Sequence, residues 1–160
     1  MGKTIREILE RHEGRRRRPY KCSAGANTIG VGHNIDANPL PADIAKHLRE
    51  TGSIDNEMID RLLAMDINRA RSDCKKLFPE FDKFSPNRQM ALIDFLFQLG
   101  LTRASKFINT IAAINTGRWE DVAEGIRKSK YWKQLGGDPE GTDDGKQERP
   151  ETIADLIEVG

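Results

Sequence analysis

Three side chains that can handle protons and water lie close together near the start of the chain: Glu13, Cys22 and Thr28. Eight residues separate the glutamate from the cysteine, and five separate the cysteine from the threonine. A carboxylic acid can give a proton to a leaving oxygen. A hydroxyl can hold a water molecule because it donates and accepts hydrogen bonds at once. These residue types fit hydrolysis by general acid catalysis.

Cleavage of a glycosidic bond would use such a set, because it needs a protonated acid beside the leaving oxygen and a second group on the other face of the sugar. Glu13 precedes Gly14, which fits the end of a helix. The negative end of a helix favours a protonated carboxyl, whereas the arginines at 15–18 favour an ionised one. We expect the helix end to prevail where Glu13 faces a cleft, since exposed arginines are screened by solvent. The alternative is a surface glutamate without a role.

Cys22 is not expected to be the main catalytic group. A thiol is mostly neutral at pH 7, so it stabilises a developing positive charge less than a carboxylate would. We assign Cys22 an auxiliary role in shaping the water site. A covalent thiol intermediate is a less favoured alternative, and a half-buried strand cysteine is the alternative without function.

The string Thr28-Ile29-Gly30-Val31-Gly32-His33 is the most specific one in the chain. Its apolar residues alternate with glycines, which predicts a strand with one apolar face and one bare face. Bare glycines would let a sugar ring approach the backbone. The string does not extend to G-x-G-x-x-G, so nucleotide binding is not supported.

Glu13-Gly14, Tyr20-Lys21-Cys22 and Thr28–His33 together resemble the catalytic stretch of the T-even phage type lysozymes, glycoside hydrolase family 24, in which Asp is commoner at the Cys22 position. Three further strings look like the second lobe of that family: Phe97-Gln98-Leu99-Gly100, Arg118-Trp119 and Ser129-Lys130-Tyr131-Trp132. The resemblance covers most of residues 5–135. It implies an endolysin that hydrolyses the β-1,4 bond between N-acetylmuramic acid and N-acetylglucosamine in peptidoglycan. Glu13 would be the acid, Thr28 would position water, and the anomeric centre would invert.

The same resemblance extends to residues around this site. Without the resemblance, Phe97 would be interpreted as a core residue and Asn109 as a helix cap. The resemblance implies that His33 pairs with Asp66 on a long helix and that Arg149 braces the catalytic glutamate. The resemblance and the strand face that carries only glycines together predict which residues contact the substrate. These residues are Gly32, Phe97, Gln98, Asn109 and Thr110.

The fold class follows from the order of patterns along the 160 residues. We predict a mainly helical α+β fold, a single lysozyme-like domain over 1–160 in which a long helix at 55–76 joins two lobes. A β lobe is expected at 14–54, and a helical lobe is expected from 1–13 and 77–160. The predicted helices cover 3–12, 41–50, 55–76, 85–99 (ending at Gly100), 107–115, 119–128 and 152–157.

Two regions are predicted to be irregular. The turn-rich stretch 19–36 indicates a small antiparallel sheet preceded by a basic turn at 15–18. Residues 136–147 are rich in Gly and Asp and are expected to form a surface loop, with Pro150 interrupting the last helix.

Composition limits the classes of function. Charged residues make up 32% and hydrophobic ones 37%, which is typical of a globular protein. No apolar run is long enough to span a bilayer and no secretory signal is recognisable, so we expect cytoplasmic synthesis and access to the wall through a pore or lysis. Cys22 and Cys74 form no disulfide framework, Cys74 fits a core position, and no metal or other cofactor is expected.

The basic residues are unevenly distributed. Residues 1–54 carry 10 Lys or Arg and 6 Asp or Glu, whereas residues 55–160 carry 16 and 19. We therefore expect the first part to face an anionic ligand, the glycan strand of peptidoglycan with its peptide carboxylates. Nucleic acid is the rival ligand, disfavoured because no aromatics interleave the arginines. A monomer without membrane insertion is expected, and a lysozyme-like protein that binds glycan without cutting is the main alternative.

Overall fold

Helices carry most of the chain, and one small sheet follows the first helix. The computed structural model describes residues 4–22, 25–128 and 148–160. The helices are α1 (Ile5–Glu13), α2 (Ala42–Thr51), α3 (Asn56–Leu77), α4 (Pro86–Ala104), α5 (Ile108–Asn115), α6 (Trp119–Lys128) and α7 (Glu148–Val159). The strands are β1 (Arg16–Lys21), β2 (Asn27–Gly30) and β3 (His33–Asn34). The prediction of a mainly helical α+β fold is confirmed.

The sheet is antiparallel throughout, in the order β1-β2-β3. Arg16 pairs with Gly30 and Tyr20 pairs with Thr28, with an irregularity in register between the two pairs. The expectation of a basic turn at 15–18 is wrong for its last three arginines, because they form the first half of β1. They can do so because β1 is an edge strand, where long charged side chains remain in solvent.

Helix α3 connects the sheet to the remaining helices. Its N-cap is Asp55, whose carboxylate accepts a hydrogen bond from the Met58 amide at 2.8 Å. Its 22 residues span about 33 Å at 1.5 Å per residue. The helix contacts β2 and β3 as well as α4. Its core-facing side chains, all buried, are Ile59, Leu62, Leu63, Ile67, Ala70 and Cys74.

Helix α4 is the central helix of the core. It begins after the Ser85 cap, with Pro86 in the first turn where no backbone donor is needed. All six residues of 91–96 are buried. Gly100 interrupts the helix at the predicted place, because its backbone is non-helical (φ 76°). A second helical segment continues beyond this kink up to Ala104, which the prediction did not include.

Helix α7 packs against both α4 and α6. It is described from Glu148 to Val159, so Pro150 lies within the helix instead of interrupting it. The guanidinium of Arg88 stacks on Trp119 at 4.4 Å from the ring centroid and donates to the Ile157 carbonyl at 2.9 Å. The predictions for 129–132 and 136–147 lie outside the described residues.

Within the described parts of the chain, every helix is too short or too polar to cross a bilayer.

Candidate active site

The Glu13 carboxyl lies directly on the backbone of Gly32. Helix α1 starts after the Thr4 cap and includes Glu13 as its last residue, and the Gly14 amide closes the last turn on the Glu10 carbonyl at 2.9 Å. A Cβ placed on Gly32 would be 2.8 Å from Glu13 Cδ and 2.9 Å from its Oε2. The half-buried Glu13 side chain therefore leans onto the turn between β2 and β3.

The two glycines of the string at 28–33 have different neighbours. A Cβ on Gly30 would meet the Ile59 side chain of α3 at 3.5 Å. Gly30 is buried, so the prediction that a sugar ring approaches the backbone there is wrong. At Gly32, which is half-buried, the space beside the backbone holds the Glu13 carboxyl. The absence of a side chain at Gly32 thus makes room for the predicted acid.

Cys22 and Thr28 converge on one backbone carbonyl at the other end of the β1–β2 hairpin. The Cys22 amide and the Thr28 hydroxyl both donate to the Ala26 carbonyl, each at 3.0 Å. Cys22 is half-buried, whereas Thr28 is only 3% exposed. Because the Thr28 proton is used in this bond, its oxygen can offer lone pairs to another donor.

Tyr20 links these residues to Glu13. Burial raises the pKa of Tyr20; the neighbouring acidic groups of Glu13 and Cys22 raise it further, and Arg16 lowers it. The Arg16 guanidinium lies 4.8 Å from the centroid of the Tyr20 ring. Tyr20 is also the strand partner of Thr28. Tyr20 therefore interacts electrostatically with Glu13 and Cys22, and it is paired with Thr28 across the sheet.

The sequence analysis did not single out Tyr20. The signal was available, because Tyr20 and Cys22 are two residues apart and alternate side chains of a strand share a face. A residue on the same face as a proposed catalytic group, and half-buried beside it, should have been included.

His33 and Asp66 are in contact, in the positions that the resemblance implies. His33 Nδ1 lies 2.8 Å from Asp66 Oδ2, and Nε2 lies 2.7 Å from the Asn38 carbonyl. Both side chains of the pair are 2% exposed. Asp66 also accepts from Arg69 at 2.7 Å. Each ring nitrogen of His33 therefore faces an oxygen atom, one from a carboxyl group and one from a backbone carbonyl. The pair fastens β3 to α3 directly beside Gly32.

A second buried histidine–aspartate pair was missed by the sequence analysis. His12 Nδ1 lies 3.1 Å from Asp94 Oδ2, with the two side chains 2% and 1% exposed. The available signal was the apolar stripe of α1, because His12 follows Ile5, Ile8 and Leu9 at helical spacing. A polar residue in a core-facing position needs a buried partner.

The remaining predicted residues lie on the later helices. Phe97 and Gln98 are half-buried on α4, Thr110 is half-buried on α5, and Asn109 is exposed on α5. Arg149 belongs to α7, but its side chain lies outside the described part of the structure. Among the described residues no group of three or more His, Cys, Asp or Glu could hold a metal ion.

Comparisons with known proteins agree on one family. The family model for phage lysozyme matches residues 10–147. The chain is 32% identical over 148 residues to the pre-baseplate central spike protein Gp5 of Enterobacteria phage T4, covering 84% of this chain and 26% of the spike protein. The chain therefore spans about a quarter of that relative's length.

Two further relatives have lengths closer to that of this chain. The chain is 26% identical over 149 residues to the probable T4-type lysozyme 2 of Dictyostelium discoideum, covering 82% of this chain and 86% of that protein. It is 24% identical over 146 residues to the probable T4-type lysozyme 1 of the same organism, with the same two coverages. The family match covers most of the chain and includes Glu13, Cys22 and Thr28. The chain belongs to the phage lysozyme family and is a glycoside hydrolase.

Proposed function

We propose that the protein is a muramidase that hydrolyses the β-1,4 bond between N-acetylmuramic acid and N-acetylglucosamine, with Glu13 as its general acid. The observation that carries the proposal is the position of the Glu13 carboxyl. It is fixed between the end of α1 and the backbone of Gly32, and its charge contributes to the raised pKa of Tyr20. Glycosidase chemistry requires one such acid held beside the leaving oxygen.

In the proposed reaction, Glu13 gives its proton to the bridging oxygen as the bond to the anomeric carbon breaks. A water molecule attacks that carbon and releases a proton to the solvent, and Glu13 takes up a proton from the solvent before the next cycle, so one water is consumed for each bond cut. Thr28 would position this water as an acceptor, because the hydroxyl proton is already donated to the Ala26 carbonyl. The water oxygen would then keep a lone pair for the attack, and the anomeric centre would invert.

Cys22 has an auxiliary role in this scheme. Its half-buried thiol interacts electrostatically with the same tyrosine as the acid, and its amide shares the Ala26 carbonyl with the Thr28 hydroxyl. A neutral thiol can fill and shape the water site without supplying a full negative charge. Gly32, Phe97, Gln98, Asn109 and Thr110 would contact the glycan strand, with Arg149 bracing Glu13.

The exposed arginines of β1 support an anionic substrate. Arg17 and Arg18 are exposed on the edge strand of the same small sheet that carries Thr28. The stem peptides of peptidoglycan carry carboxylates, and a basic edge would attract them from solution. The proposed partner is therefore the glycan strand with its peptides. We propose that the protein acts as a monomer, reaches the wall after a pore or lysis admits it, and binds no nucleic acid.

The proposal is tested by comparing the wild type with Glu13→Gln on permeabilised bacteria. Turbidity should fall with the wild type and stay nearly constant with Glu13→Gln, which keeps the shape of the side chain but removes its acid. Glu10→Gln is the matched control, because Glu10 lies one turn earlier in α1 and forms a partly exposed pair with Arg15. This control should lyse cells like the wild type, since such pairs contribute little.

A lysozyme-like glycan binder that does not cut is the second candidate, favoured by the thiol in place of the commoner carboxylate. In that case the wild type would sediment with purified cell walls but release no new reducing ends. Equal release of reducing ends by the wild type and Glu13→Gln would instead refute the role of Glu13 as the acid.

A further inference from the structure

His12 is the one polar member of the core-facing stripe of α1. The buried residues of this nine-residue helix are Ile8, Leu9 and His12, and Ile5 packs partly against the same core. An aliphatic side chain at residue 12 would continue the stripe without any demand for a hydrogen bond. A buried histidine costs stability unless it is paired, so its presence needs a reason beyond packing.

The partner of His12 belongs to the most buried part of α4. Asp94 lies within 91–96, and its carboxylate is 3.1 Å from His12 Nδ1. Buried pairs of this kind add little net stability compared with apolar residues of similar volume. Such pairs do fix the orientation of the side chains that they join, because a hydrogen bond constrains the angle as well as the distance between donor and acceptor. The pair therefore sets how α1 is rotated about its axis relative to α4.

Glu13 follows His12 directly and is the last residue of the helix. Consecutive helical residues point about 100° apart, so fixing the direction of His12 fixes that of Glu13. On the exposed side, Arg6 of α1 and Arg15, which follows the helix, both reach Asp60 of α3. Those contacts are partly solvated and hold weakly. The His12–Asp94 pair is a buried and directional contact between α1 and the core.

We propose that His12, held by Asp94, is a positioning residue that aims the Glu13 carboxyl; this inference rests on the proposed function of Glu13. Two buried histidine–aspartate pairs then flank the acid. The His33–Asp66 pair holds the strand beside Gly32, on which the carboxyl rests. The His12–Asp94 pair holds α1, the helix that carries the Glu13 carboxyl, against α4. The acid is thus placed relative to β3 and α4 together.

The test compares two replacements of His12. His12→Leu keeps the buried volume and removes the directional bond. His12→Asn places an amide nitrogen close to where Nδ1 lies, so it can still donate to Asp94. On a soluble peptidoglycan fragment, we expect His12→Leu to lower kcat about 10- to 100-fold with KM changed less than about 2-fold, the loss typical of a misplaced catalytic group. His12→Asn should recover most of that loss.

A stability control distinguishes a loss of Glu13 orientation from a general destabilisation of the fold. Ile126→Ala removes core volume in α6, away from α1, and should lower the melting temperature while leaving kcat near the wild-type value. Wild-type kcat in His12→Leu would overturn the proposal. So would equal losses in His12→Leu and His12→Asn. If His12→Leu does not fold, the comparison becomes His12→Asn against His12→Gln, whose nitrogen lies nearer the Nε2 position; equal kcat in these two would also overturn it.

A second readout does not depend on turnover. The side-chain couplings of Glu13, measured by NMR, should show one rotamer in the wild type and in His12→Asn, and averaging in His12→Leu. One rotamer in all three proteins would overturn the positioning role. If the wild type has no activity, the proposed function fails, whereas the couplings still decide whether His12 orients Glu13.

Discussion

Replacing Gly32 by alanine should lower kcat strongly and should destabilise the fold only modestly. Gly32 has a φ of 65°, and an added Cβ would lie 2.8 Å from Glu13 Cδ. The left-handed backbone costs an alanine about 1–2 kcal/mol. The collision adds little to the free energy of folding, because the atoms that must move are the far end of a flexible side chain. Those atoms, however, are the proposed acid.

The size of the displacement follows from the contact distances. Ordinary contact begins at 3.4 Å, so the carboxyl must retreat by about 0.6 Å or more, and a shift approaching 1 Å is enough to lower a rate by up to about 100-fold. The assay is kcat on a soluble peptidoglycan fragment, with the free energy of unfolding measured in urea. We expect Gly32→Ala to lose roughly 10- to 100-fold in kcat and about 1–2 kcal/mol of stability.

Gly52→Ala is the matched control for this experiment. Gly52 ends α2 with a φ of 80°, and a Cβ there would have nothing within 4 Å. It should lose a similar amount of stability, about 1 kcal/mol, and keep wild-type kcat. Wild-type kcat in Gly32→Ala would refute the reasoning, since a displaced carboxyl could not then be the acid.

Three further outcomes are expected. Cys22→Ser should keep measurable lysis in a turbidity assay, because a hydroxyl can still shape the water site; a loss as complete as that of Glu13→Gln would contradict the auxiliary role. Burial raises the pKa of the Cys74 thiol, so at pH 8 a thiol reagent should label Cys22 in the native protein and Cys74 only after unfolding; equal rates would contradict this difference. Lysis should weaken as salt rises from low to physiological levels, and Arg17→Glu with Arg18→Glu should reduce that dependence; lysis that ignores salt would refute an attractive role for the basic edge.

The elements with strong local signals were predictable from the sequence. Helix α3 has an acidic cap and a long apolar stripe, and its predicted span of 55–76 differs from the observed Asn56–Leu77 by one residue at each end. The start of α4 followed from the Ser85-Pro86 signature. In both cases the sequence positions that decide the structure are local, so no knowledge of distant contacts was needed.

The contacts between distant segments were less predictable. His12 and Asp94 are 82 residues apart, and the sequence around each residue does not indicate that the two are in contact. The contact between the Glu13 carboxyl and the Gly32 backbone depends on the angle between α1 and the sheet. The periodicity of the sequence does not encode that angle. The strand at 16–18 was misread because arginines have no strand preference, and pairing with β2 overrides that local tendency.

The outer side of the small sheet has a consequence for association. Strand β1 is an edge, and exposed edges invite a strand from a second molecule. Here the carbonyl of Arg17 already accepts from the amide of Ile54 at 2.9 Å, and cationic side chains extend from the neighbouring positions. A copy approaching in register would bring arginines against arginines and would find this acceptor occupied. Strand β1, the outer strand of the β1–β2 hairpin, is thereby protected from intermolecular β-pairing by its own charge.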